Sequence, residues 1–178
     1  MARCLQASTC HGVSLSEEAK LFQRILVAFD GSSASGAALA TALALADELH
    51  AVVRVVGVVE QLPNIIGLGG GLEHASTKQA VVRTETEGVL ARARELLDLS
   101  GVQGDTLALD AGGRGVASAI QSVALDWHAD VIVIGTHGRR GAQRLVLGSV
   151  AESVARLSTI PVILVPHHAT PTGASAPS

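Results

Sequence analysis

Aromatic side chains are almost missing: two Phe, one Trp and no Tyr in 178 residues. The core must therefore be built from Val, Ile, Leu and Ala. A flavin or a run of unstacked bases would find few rings to stack on. Cysteine is equally scarce. Cys4 and Cys10 both precede the first apolar run, so no disulfide framework can cross the fold. No Cys or His cluster has metal-ligand spacing, and His167 and His168 are simply adjacent. No apolar run approaches the length of a membrane span. The opening MARCLQASTC lacks the continuous apolar stretch of a secretory signal. The net charge of -3 gives no hint of a nucleic-acid surface. These absences leave a globular chain, expected in the cytoplasm, with neither membrane nor nucleic acid as partner.

What is present is strict alternation. Ile25 to Phe29 is a short apolar run that ends at Asp30-Gly31-Ser32-Ser33, turn chemistry followed by helix caps. Gly36 to Leu49 is rich in Ala and Leu and reads as a helix. Val52 to Val59 is β-branched and apolar, a buried strand. A glycine-bearing loop, Gln61 to Thr77 with Gly67 to Gly71, precedes a helix from about Lys78 to Leu99. Thr106 to Leu109 is a short strand, Asp110 to Gly115 a turn, and Val116 to Trp127 a helix. Val131 to Ile134 is a second uninterrupted strand, Ser149 to Leu157 a helix, and Val162 to Val165 a strand between two prolines. Five strands alternating with four helices predict an α/β fold: a parallel sheet with helices on both faces. Residues 1–21 are expected to be a poorly ordered extension, 22–167 one domain, and 168–178 a disordered tail.

One segment carries chemistry. Gly135-Thr-His-Gly138-Arg-Arg-Gly141-Ala-Gln-Arg144-Leu-Val-Leu-Gly148-Ser149 follows a buried strand and opens a helix. Glycines let backbone approach a ligand closely. Backbone N–H groups at a helix start favour an anion, and Arg139, Arg140 and Arg144 add positive charge. Phosphate is the natural guest. The segment lacks a G-K-[ST] ending, so it is no ordinary P-loop. A flexible loop capped by Ser149 remains the plainer alternative. Asp30 reads either as a helix cap shared with Ser32 or as a ligand to a hydroxyl or magnesium ion. Gly113-Arg114-Gly115 with Ser118 half-resembles a dinucleotide fingerprint but lacks its third small residue, and reads as a turn into a helix. No nucleophile–base set or carboxylate pair with motif support stands out.

The spacing Gly135-x2-Gly138-x9-Gly148-Ser149 resembles the ATP-binding motif of the universal stress protein family. FQRILVAFDGS, VASAI, ADVIVIGTHGRRG, LGSVAESVAR and PVILV are similar to that family as well, over about residues 22–166. The resemblance implies a doubly wound five-stranded sheet in the order 3-2-1-4-5. It also implies a bound ATP, with or without Mg2+. Asp30 would contact the ribose or the metal, Ala28 and Phe29 would flank the adenosine, and the backbone of Val58 would hold adenine. Ile134 and Gly135 would lie beside the nucleoside. Gly138, Gly148, Ser149 and Val150 would face the phosphates, with Arg139 a neighbour. The expected role is an ATP-binding stress-response or regulatory protein with slow or no hydrolysis. A true ATP hydrolase or nucleotidyl-transfer enzyme, or an interaction scaffold, stays open beside it. The last strand, Val162, Ile163, Leu164 and Val165, carries no charge and would form an unprotected sheet edge. Edge and resemblance together predict a homodimer through that strand.

Overall fold

The computed structural model describes residues 22–59, 73–136 and 147–166. Five parallel strands form one sheet: β1 Arg24–Ala28, β2 Val52–Val59, β3 Gly104–Asp110, β4 Val131–Gly135 and β5 Val162–Val165. Their order is β3-β2-β1-β4-β5. The helices are α1 Ser33–Leu49, α2 Glu73–Ser100, α3 Val116–Asp126 and α4 Ser149–Leu157. Every strand of β1, β2 and β4 is rich in branched aliphatic residues because each is covered on both faces.

Alternation along β1 divides the core. Ile25, Val27 and Phe29 join the cluster under α1 and α2, with Leu90, Ala93 and Leu97 of α2. Leu26 and Ala28 point the other way, towards Ile120 and Ala124 of α3 and Ala151 and Val154 of α4. The helix α1 lies close to the sheet because Ala34, Ala38, Ala42 and Ala46 form a buried stripe at four-residue spacing.

Of the charged residues in the strands, Arg24, Arg54 and Asp105 lie in one corner, and Asp110 ends β3 at the other. Arg54 stands in the otherwise apolar β2 and makes a bidentate pair with Asp105 of β3, Nε to Oδ1 at 2.7 Å. Its guanidinium also lies 4.8 Å from the centre of the Trp127 ring, just past the end of α3. The hydrogen bond that Arg54 donates to Asp105 raises the pKa of Arg54 above its ordinary value, against the pull of desolvation. With the carboxylate ionised, any stability from that shift is lost only as pH rises through the raised value. Arg24 donates to the Trp127 carbonyl at 2.9 Å, and its own N–H binds Asp130 at 2.8 Å. This corner sits at the N-terminal ends of the strands. It ties β1, β2 and β3 to α3 and leaves the opposite end of the sheet for a ligand.

The edge strand β5 shows which residue faces outward. Ile163 and Val165 pack on the α1 side of the core. Leu164 is 38% exposed.

Candidate functional site

The strand order reverses between β1 and β4, and open α/β sheets bind ligands beyond the strand C-termini at such a point. Ala28 and Ile134 are partners across β1 and β4, so both strands finish at the same level. Asp30 follows β1 and is half-buried. Its Oδ1 accepts the N–H of Ser32 at 3.0 Å. Ser32 in turn accepts the N–H of Ser35 at 3.2 Å and is the N-cap of α1. Thus the cap is Ser32, and Asp30 organises the turn that delivers it. The Ser35 hydroxyl is buried and donates to the Ser32 carbonyl at 3.0 Å, which knits the turn to the helix.

Val58 gains meaning from register. The β1–β2 pairing stops at Ala28 and Val56, with a last rung from the Phe29 N–H to the Val56 carbonyl at 2.9 Å. β2 runs three residues further, to Val59. Backbone groups alternate sides along a strand. Those of Val58 therefore point to the side served by Val56, where β1 has ended. Phe29 contributes differently. Its side chain is buried under α1 and α2, so only its backbone borders this end of the sheet.

Gly135 closes β4 against α1. A Cβ there would stand 2.6 Å from the carbonyl carbon and oxygen of Ala34. The next residue, Thr136, donates its N–H to Val165 at 3.0 Å and accepts the N–H of Gly148 at 2.6 Å. Thr136 and Gly148, on either side of residues 137–146, are therefore hydrogen-bonded to each other. Gly148 is the N-cap of α4 and Ser149 its first helical residue, so the cap predicted at Ser149 falls one residue earlier. The first intrahelical bond runs from Glu152 N–H to Gly148 at 2.9 Å. The N–H groups of Ser149, Val150 and Ala151 precede it and have no acceptor within the helix.

Gly138 and Arg139, with His137, Arg140 and Arg144, lie outside the described residues. So do Gly67 to Gly71. Among the predicted residues that are described, the fold gathers Ala28, Phe29, Asp30, Val58, Ile134, Gly135, Gly148, Ser149 and Val150 at the same end of the sheet. Ser35 and Thr136 were not singled out from sequence. A buried serine three residues after a cap is a readable sign of the first, whereas nothing marks the second.

The model of the universal stress protein family matches residues 21–166. The chain belongs to that family. It is 33% identical over 150 residues to the universal stress protein YxiE of Bacillus subtilis, covering 82% of this chain and 99% of the relative. The crystal structure of a universal stress protein from Burkholderia pseudomallei is similar at 31% identity, with a TM-score of 0.68, covering 83% of this chain and 98% of that one. A universal stress protein from Archaeoglobus fulgidus in complex with dAMP is similar at 25% identity and a TM-score of 0.58, covering 82% and 98%. The five-stranded order 3-2-1-4-5 with helices on both faces is the universal stress protein fold. Among the described residues no helix is long and apolar enough to cross a membrane.

Proposed function

We propose that this universal stress protein binds ATP and acts in stress response or regulation, with slow or no hydrolysis. One observation carries the reading. Ala28 to Asp30, Ile134 to Thr136 and Gly148 to Val150 converge where the strand order reverses. The adenosine would lie across the ends of β1 and β4, with adenine against the backbone of Val58. The phosphates would rest on the N–H groups that open α4, near Ser149 and Val150, with Gly138, Gly148 and Arg139 around them. That the Archaeoglobus relative is in complex with dAMP supports an adenine nucleotide.

Asp30 would take a ribose hydroxyl or Mg2+. No group of three His, Cys, Asp or Glu side chains able to hold a metal occurs among the described residues. A single carboxylate shared with nucleotide phosphates suits magnesium, which seldom uses an all-protein cage. The Oδ1 of Asp30 already accepts the Ser32 N–H, which suits a fixed ligand better than a proton carrier. We place the protein in the cytoplasm.

Gly138→Val would put a branched Cβ where phosphate must approach. Calorimetric titration should show ATP binding lost while the circular dichroism of the fold is retained. Unchanged affinity would remove the phosphate loop from the account.

We also propose a homodimer through β5, two edges running antiparallel about a two-fold axis. Leu164 is the side chain to change, because Ile163 and Val165 pack on the core. Leu164→Lys should shift light scattering at micromolar concentration from dimer towards monomer. A wild-type monomer would refute the assembly.

A further inference from the structure

Ser35 is the one polar residue that is buried among the described residues, at 4% exposure. A hydroxyl taken out of water without partners is destabilising. This one uses both of its capacities. It donates to the Ser32 carbonyl at 3.0 Å and accepts the Asp30 N–H at 3.4 Å. The second bond is the longer, and it is the one that reaches back past the cap to the residues that follow β1.

Its place in α1 explains why a serine stands there. Ser35 is the third residue after the Ser32 cap. In a capping box that position holds Glu or Gln, whose side chain returns to the N–H of the cap residue. Here the Ser32 N–H is bound by Asp30 Oδ1 at 3.0 Å, from outside the helix. A short hydroxyl at Ser35 leaves that bond to Asp30 and holds the Asp30 backbone instead. Asp30 is thus gripped twice, by its carboxylate at Ser32 and by its N–H at Ser35.

The same turn is seated on β4. A Cβ on Gly135 would stand 2.6 Å from the Ala34 carbonyl, so the first turn of α1 rests against the end of that strand. Ala34 touches β4 while the next residue, Ser35, holds the residue beyond β1. The pair spans the point where the strand order reverses.

We propose that Ser35 is a positioning residue for the nucleotide: its hydroxyl fixes Asp30 relative to the end of β4 and acts on the ligand only through Asp30. The inference rests on the reading of Asp30 as a ligand to the nucleotide or its metal.

Wild type, Ser35→Ala, Asp30→Asn and the double variant should be titrated with ATP and Mg2+. Ser35→Ala keeps the cap of α1, because the bond to the Ser32 hydroxyl comes from the Ser35 backbone N–H, and alanine suits a helix. It should bind ATP about three- to tenfold more weakly, the worth of one neutral hydrogen bond. Added to Asp30→Asn, it should weaken binding further by less than about twofold, the mark of two residues acting as one. A hydroxyl that only steadies the helix would give the same loss in both backgrounds. Thr41→Ala removes another hydroxyl of α1, one that donates to Ala37 at 2.9 Å, and should leave the affinity unchanged. Unchanged affinity in Ser35→Ala, an undiminished further loss on top of Asp30→Asn, or the same fall in Thr41→Ala would overturn the inference while nucleotide binding stands. An Asp30→Asn variant that binds like the wild type would overturn the ligand reading of Asp30 and the inference with it. A wild type that does not bind ATP would overturn the nucleotide reading as a whole.

Discussion

Gly135→Val is expected to lower stability by about 1–3 kcal/mol, the usual range for overpacking a filled core, and to remove nucleotide binding with it. The atoms that a Cβ would strike are backbone atoms of Ala34, not the flexible end of a side chain. They belong to the first turn of α1, which Ser32 caps and the buried Ser35 holds. Either β4 or the helix start must move. Gly135 is also the partner of Val165 on β5, so β4 is held on its other side. A displaced helix start would carry the Asp30 turn away from the end of β4. Urea denaturation and calorimetric titration of the same preparation would read both effects. A stable variant that binds ATP normally would show that the contact can relax. Gly135→Ala should move both readings in the same direction by less.

Asp30→Asn should weaken ATP binding about 10–100-fold, which corresponds to the roughly 1.5–3 kcal/mol of a hydrogen bond to a charged group. Asparagine keeps an Oδ1 that can accept the Ser32 N–H, so the turn and the cap of α1 survive and only the charge is lost. Titration with magnesium and with a chelator separates two roles. A larger loss with magnesium present places Asp30 on the metal. An equal loss in both favours a ribose hydroxyl. No loss in either would leave Asp30 with the turn alone.

Much of the fold was legible because its central strands are covered on both faces. The valine-rich run of β2, broken only by Arg54 and Gly57, was read at its full extent, Val52–Val59. β3 was read short, as Thr106 to Leu109 instead of Gly104–Asp110, because Asp105 looks out of place in a strand until Arg54 is found opposite it. The start of α2 was placed near Lys78 and lies at Glu73. The first half of that helix has no apolar period to read, and even Val81 is 52% exposed. A lone Arg54 in an apolar strand was the available sign of the charged corner.

The site was legible as a set of chain positions but not as geometry. Glycine spacing marks where backbone can approach a phosphate. It does not show that the Gly148 N–H turns back to Thr136, because that bond depends on how the two ends of the segment meet in space. Asp30 and Ser32 are both residue types that cap helices, so sequence could not divide cap from turn.

Nucleotide identity is the most direct test of the central claim. The wild-type protein should be purified without added nucleotide, denatured, and its released small molecules separated and identified by mass. The preparation should then be stripped and titrated with ATP in the presence of Mg2+. The account predicts an adenine nucleotide in the extract or saturable ATP binding at one site per chain, lost in Gly138→Val. A stripped, folded protein that carries no nucleotide and gives no saturable binding with ATP would contradict it.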